Sequence, residues 1–442
     1  MAGFGRRRSS IVSAVAFALL VVFAFVLPWR QAVVLPWGIS IGPIVGIALV
    51  AGWLLSVVLD GDRRRPHRSV RRLSGFHVAF AIFTAFAAAS LLWTVDPART
   101  LGRVAVYAYI FALLVVAWDV LYSRERLAIV VQALVLGVFL VGLVGIWQLL
   151  QQDGLGERQA VAHGVNANEL ARWVVLVVPF AAWLLDRSAR VTPSTHRTRL
   201  SGYLNLAYLV ASPFMVLSTG SRQGTVALAV LAVLGGVVLV RRRQAAVTTR
   251  HVRATLVLVG AIVVTASVVA SLGVFFDRLP YALSRLDTLG GRTPIWQVGI
   301  DAIRDRPLGG VGAGAFGSLT PEGMSTEPHS VVVGVAAELG VVGLVLFVVV
   351  VAVPVATVAS RPGPTIVSAG VLCALGLFAT VATLYTDPFN WLVLLFVLAA
   401  HSVPADDEAQ SAVTARRDVT DRRGDSRRRT GRIPRESGGR QQ

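Results

Sequence analysis

Apolar runs of about 18 residues or more recur along most of this chain, each long enough to cross the hydrocarbon core of a bilayer as an α-helix. No water is present in lipid to satisfy open backbone groups, so every such run must be helical. The pattern predicts spans near 11–28, 38–59, 73–93, 103–121, 128–150, 170–186, 202–218, 224–240, 254–275, 330–353, 365–386 and 388–403. The expected fold is therefore all-α: a polytopic transmembrane helical bundle of about 12 spans. A long extracytoplasmic loop with short amphipathic helices is expected before the tenth span. Hydrophobic residues make up 55% of the 442 positions and the mean hydropathy is +0.67, which excludes an ordinary soluble domain. Three parts follow: a basic cytoplasmic N-terminus (1–10), a transmembrane domain (11–403) and a basic, disordered cytoplasmic tail (404–442).

Lysine is absent, so the net charge of +18 comes from arginine alone and has to be read by location. One set of loops carries 31 of the 42 arginines, among them Arg6 to Arg8, GDRRRPHRSVRR (61–72), RRR (241–243) and the tail. The positive-inside rule assigns that set, and both termini, to the cytoplasm of a multi-pass membrane protein. These basic clusters suit anionic membrane lipids, and no nucleic-acid partner is expected. Arg6 to Arg8 ahead of an apolar run reads as a retained first span with no cleavage site. The single cysteine, Cys373, lies inside an apolar span and suggests neither a disulfide nor a metal site.

The exterior loops are short except for 276–329, long enough to expect a function. Within it, GGRTPIWQVGIDAIRDRPLGGVGAGAFG (290–317) predicts a helix with Thr293 as N-cap, Pro294 at its first position, and Trp296, Gly299, Ile300 and Ile303 on an apolar face along the membrane surface. Arg292 stands just ahead of that N-terminus, a seat for phosphate or diphosphate, or for a lipid head group. Gly309, Gly310, Gly312 and Gly314 lack the Lys-Ser/Thr of a nucleotide loop and read as a turn where backbone meets backbone. Arg222, at the tip of LSTGSRQG (217–224), binds an anion or snorkels to phospholipid. In HGVNANELARW (163–173), Asn168 stands at a helix start, as cap or site residue, with Arg172 one turn in.

In MSTEPHSVVVGVAAELG (324–340), His329 falls at or just before a helix N-terminus. The helix dipole disfavours imidazolium there and leaves a neutral ring fit to accept a proton. Glu338 follows roughly 13 Å along a straight helix, too far to partner His329. A carboxylate that deep must face the bundle interior and pair, which makes it a supporting residue.

These pieces come in a recognisable order: Trp93 to Pro97 (Trp-Thr-x-Asp-Pro), Asn166 to Ala171, Ser221 to Gly224 (Ser-Arg-x-Gly), Gly291 to Trp296, Asp305 to Gly312, His329-Ser330, and Ala337 to Gly340. The set resembles the O-antigen ligase and polymerase superfamily of bacterial inner-membrane glycan transferases, over roughly residues 75–400. Ser330 stands where that family usually has Asn. The resemblance implies a polyprenyl-diphosphate-linked glycan donor, a glycan, lipid or protein acceptor, and no metal or other cofactor. It also implies arginines on the diphosphate (Arg222 and Arg292, with Arg172 as a further candidate) and a catalytic histidine, His329.

Residue chemistry agrees: fixed guanidinium groups stabilise a departing diphosphate, and a base takes the acceptor proton. The expected reaction is metal-independent, inverting transfer to an acceptor hydroxyl on the extracytoplasmic face. The alternative is a glycan transporter or flippase, which would place ionisable residues near mid-membrane on interrupted helices. Asp60-Gly61-Asp62 would suit a metal-dependent transferase but sits in a basic inner loop and reads as a helix end.

Overall fold

The structure, a computed structural model, describes residues 2–30, 33, 38, 40–59, 71–151, 165–190, 196–243, 292–361, 363–380 and 383–403. The expected ninth span at 254–275, the loop part at 276–291, Asp60-Gly61-Asp62 and the tail at 404–442 lie outside the described residues. Among the described residues twelve α-helices run in order: α1 (Ala2–Val26), α2 (Ile41–Leu59), α3 (Gly75–Ala89), α4 (Pro97–Val120), α5 (Arg124–Leu150), α6 (Ala167–Arg190), α7 (His196–Ser218), α8 (Arg222–Arg243), α9 (Thr293–Asp305), α10 (Val331–Ser360), α11 (Thr365–Ala379) and α12 (Pro388–Ser402). The fold is an all-α polytopic membrane bundle. Seven stretches are long and apolar enough to span a bilayer, in α2 to α7 and α10, and shorter apolar helices lie in α1, α8, α11 and α12.

Helix starts are set by short polar side chains that satisfy first-turn N–H groups. Asp96 accepts from the Arg99 N–H at 3.0 Å ahead of Pro97, and Asp387 accepts from the Phe389 N–H at 2.9 Å ahead of Pro388. This Asp-Pro start carries α4 back to residue 97, so Arg99 is helical although the span was expected to begin at 103. Asn166 Oδ1 accepts from the Asn168 N–H at 2.8 Å, so the cap of α6 is Asn166 and not Asn168.

The core is centred on α6 and α12; residues 389–401 of α12 are all buried. Around α12 an aromatic cluster forms from α3, α4 and α10. Phe80 meets Trp391 edge-on at 4.7 Å, and Phe347 meets Phe83 and Trp391 at 5.9 Å. Such packing supplies geometry that apolar burial alone does not.

The two ends of the bundle are chemically distinct. At one end Asp119 accepts from Trp53 Nε1 at 2.8 Å and from the Arg71 N–H at 2.9 Å. Arg71 lies over the Trp118 ring at 3.6 Å and donates to the carbonyl of Ser402, while Arg124 donates to that of Val403. At the other end of α4, roughly 36 Å away for 24 residues, are gathered Arg30, Asp96, Glu169, Asp387 and the segment 306–329.

The tenth span departs from expectation. It was expected to run unbroken over 330–353, but Gly340 has φ 67° and ψ −170° and interrupts α10. The cause is the glycine segment, which re-enters the bundle at this level. The Val311 and Gly312 N–H groups donate to the carbonyls of Ala337 (3.0 Å) and Glu338 (2.8 Å), and the Val341 N–H donates to that of Pro307 (2.8 Å). Irregular backbone at membrane depth is tolerated when protein satisfies it. A Cβ on Gly340 would collide with the Leu308 carbonyl, and one on Gly310 (φ 64°) with that of Glu338. The expectation of backbone packed on backbone is met here, and the partner is a broken helix.

Two details of α9 also differ. Arg292, not Thr293, is its N-cap residue, with no side-chain cap bond, and Thr293 is already helical. Its inward face is Ile295, Gly299 and Ala302, while Ile300 is exposed. The helix is turned by about one residue because its apolar side packs on Val311, Phe316 and Ala337 rather than lying on lipid.

Candidate functional site

Three polar groups converge at the end of the bundle that holds Asp96 and Asp387. The first surrounds His329. Ser330 caps α10, its hydroxyl 3.5 Å from the Val333 N–H, so His329 is the residue immediately before the cap. His329 is the only non-glycine with positive φ (49°) among the described residues. Such backbone is held against local preference by its surroundings and is found disproportionately at functional sites. What holds it is visible: Trp296 Nε1 of α9 donates to the Pro328 carbonyl at 2.9 Å, and Ser325 Oγ lies 3.1 Å from His329 Nε2. Burial pushes the imidazole below its ordinary pKa; Glu327 pulls it up and Arg292 adds to the depression. Arg292 and His329 are thus electrostatic neighbours, brought together by α9.

The second group is buried between α6 and α12. Asp387 binds Arg30 through Oδ1 and Arg172 Nη2 through Oδ2 at 3.0 Å. Glu169 lies 3.8 Å from Arg30 and 3.6 Å from Arg172, and the Arg30 guanidinium sits 5.5 Å from the centre of the Trp173 ring. Burial works against the Asp387 carboxylate, yet Arg30 and then Arg172 outweigh it and hold the group below the usual carboxylate range. Arg172 is almost fully buried and points into this network. Neither Arg30 nor Asp387 was singled out from sequence. The signal existed: Asp387-Pro388 repeats the Asp96-Pro97 helix start, and Arg30 lies on the arginine-poor side.

The third group is Arg103, Tyr107, Glu338 and Tyr385. Glu338, the carboxylate expected to face the interior, is buried with Oε2 3.9 Å from Arg103 Nη1. Arg103 also was not anticipated.

Arg222 is exposed at the first position of α8. Its turn is built by Thr219 Oγ1 accepting from the Ser221 N–H (3.1 Å) and by Ser221 Oγ accepting from the Gly224 N–H (3.3 Å). A Cβ on Gly224 would fall 2.7 Å from that of Ala171, so this turn rests on the start of α6 beside Arg172. Arg222 therefore shares an end with the other groups, without a direct contact to His329. Asn168 sits in the first turn of α6, next to Glu169.

An O-antigen ligase family model matches residues 207–348. Over that third of its length the chain is similar to the O-antigen ligase family. The matched segment runs from α7 to just beyond the break in α10 and contains Arg222, Arg292, His329 and Glu338. Arg30, Arg103, Arg172 and Asp387 lie outside it but pack against it or against its neighbours. No curated protein matches the chain. The match and the apolar helices support a multi-pass membrane protein with an O-antigen ligase or polymerase type of function.

Proposed function

We propose that the chain transfers a glycan from a polyprenyl-diphosphate carrier to an acceptor hydroxyl on the extracytoplasmic face, with inversion and without a metal. The observation that carries this reading is a depressed, strained histidine beside an arginine at the mouth of a broken helix. Ser325 Oγ donates to the Glu327 carbonyl at 3.4 Å, so we assign it as acceptor from a protonated Nε2, which leaves Nδ1 as acceptor. Ser325 Oγ already accepts from the Glu327 N–H at 3.2 Å and can accept a second donor. As the acceptor oxygen attacks the anomeric carbon, its proton passes to Nδ1. The bond to the diphosphate oxygen breaks, and the electron pair leaves with the diphosphate. Charge grows on that leaving group, which Arg292 and Arg222 are assigned to stabilise; each such contact is worth about 3 kcal/mol in a transition state. Arg172, neutralised by Asp387, shapes the wall behind this seat, and Asn168 supports the turn at the start of α6.

The test is reconstitution with a lipid-linked oligosaccharide, scoring free polyprenyl diphosphate and the new glycosidic bond. Arg292→Ala and Arg222→Ala abolish both products while the protein still inserts and purifies; normal turnover in either variant removes that arginine from the diphosphate seat. One observation favours the transporter reading: an interrupted helix with a buried ion pair is the architecture ion-coupled transporters use. The same assay separates the two, because a flippase leaves the donor intact.

A further inference from the structure

The break at Gly340 separates Val331–Leu339 from the rest of α10. A helix that short is marginal unless something outside it fixes its ends. The His329 end is fixed by the Ser330 cap and by Trp296 on the Pro328 carbonyl. At the other end stands Glu338, two residues before the break, whose carbonyl takes the Gly312 N–H and whose carboxylate faces Arg103. Arg103 comes from α4, outside the segment that matches the family model. Its guanidinium lies 5.6 Å from the centre of the Tyr385 ring. The Tyr385 hydroxyl lies against Gly334, one turn into the half-helix, where a Cβ would fall 2.5 Å from it and 2.7 Å from Pro328 Cγ. Tyr385 therefore wedges between the Arg103–Glu338 pair and the residue preceding His329. Among the described residues, Arg103 Nη1, Tyr107 OH, Glu338 Oε2 and Tyr385 OH are all buried without a hydrogen-bond partner inside the protein. Arg103 Nη1 and Glu338 Oε2 stand 3.9 Å apart, and Tyr107 and Tyr385 interact electrostatically with the pair, so each of the four feels the loss of any other.

We propose that Arg103 is a positioning residue for transfer: acting through Glu338 and Tyr385, it fixes the half-helix that presents His329. This rests on the assignment of His329 as the base. Arg103 does not touch the reacting atoms; it sets where the imidazole stands relative to Arg292. A displacement of about 1 Å in such a group costs roughly 10²-fold in rate.

The experiment uses the full-length protein in lipid nanodiscs with a lipid-linked oligosaccharide donor. It combines initial rates across donor concentration with hydrogen-exchange mass spectrometry. Arg103→Ala and Glu338→Ala each lower kcat roughly 10²-fold and leave donor KM within about twofold. Both speed amide exchange over 329–339 relative to 341–350, and the double variant is no worse than either single one. Arg103→Lys, which keeps the charge and much of the length, restores protection and part of kcat; with Glu338→Gln it carries the test if the alanine variants do not fold. A raised donor KM with unchanged exchange would make Arg103 a substrate ligand and overturn the proposal, as would unchanged kcat. The His329 assignment fails separately: wild-type turnover by His329→Ala overturns it alone, while faster exchange in Arg103→Ala still supports the clasp.

Discussion

Replacing Asp387 by Asn separates the charge of this residue from its role as a helix cap. The carboxylate is 4% exposed and uses both oxygens, Oδ1 on Arg30 and the Phe389 N–H, Oδ2 on Arg172 and, at 3.5 Å, Trp173 Nε1. An asparagine keeps an oxygen for the Phe389 N–H, so the cap, worth about 1 kcal/mol, survives. What disappears is the counter-charge. Arg30 and Arg172, 15% and 5% exposed, are left with Glu169 at 3.8 and 3.6 Å, two positive charges against one negative. Removing one member of a buried ion network costs about 3–5 kcal/mol, and Arg30 retains enough exposure to place the expectation near the lower figure. Thermal unfolding of purified protein, followed by tryptophan fluorescence at pH 7, reads the loss. Asp387→Ala falls about 1 kcal/mol further for want of the cap, and Asp387→Asn/Arg172→Met recovers part of it by removing the stranded charge. The sign with pH follows from the depressed carboxyl: its contribution is complete above the unfolded value of about 4 and is lost as pH falls through the lower folded value. Wild type and Asp387→Asn therefore converge in acid. Identical unfolding of the two at pH 7 would refute the argument.

Three further outcomes are expected. Transfer rate measured from pH 5 to 8 is flat near neutrality and declines below the ordinary histidine value of about 6.5, where the His329 imidazole takes up a proton; Glu327→Gln removes the upward pull and moves that decline to lower pH, while Arg292, the other charge facing the ring, is unchanged. Gly340→Ala loses at least about 1–2 kcal/mol through its left-handed backbone and more through the Leu308 carbonyl, whereas Gly376→Ala, in α11 with open space around its Cβ, is neutral or stabilising in the same thermal assay. Ser330→Ala costs about 1 kcal/mol as a lost cap, and Ser330→Asn leaves stability unchanged to a few tenths, because both residues cap well.

Most of the architecture was legible because a span announces itself by length and hydropathy. Helix starts were legible only where cap chemistry was read along with the apolar run. Asp96-Pro97 moved the start of α4 from residue 103 back to residue 97 and set Arg103 inside the helix rather than at its end, and the same dipeptide at Asp387 was passed over. The break at Gly340 was not readable from its own neighbourhood, since VVVGVAAELGVVGLVLF is apolar apart from Glu338 and helix-compatible throughout. Its cause lies in glycines some thirty residues earlier, and only their pairing with Ala337 and Glu338 makes sense of them. Arg222, Arg292 and His329 were conspicuous as polar residues at helix ends on the arginine-poor side. Arg30, Arg103 and Asp387 were hidden because their meaning is mutual: each is a charge that only its partner, distant in sequence, makes tolerable.

The re-entrant segment also sets an order of events during synthesis. Residues 306–312 leave the ribosome before the span they complete. Until the two meet, the N–H of Val341 and the carbonyls of Ala337 and Glu338 can pair along a continuous helix, the Val341 N–H with the Ala337 carbonyl, and docking exchanges those bonds for the ones to Val311, Gly312 and Pro307. Entry of the tenth segment into lipid follows its hydropathy, and the break is made when the two segments dock, so the span is completed by docking as much as by partitioning.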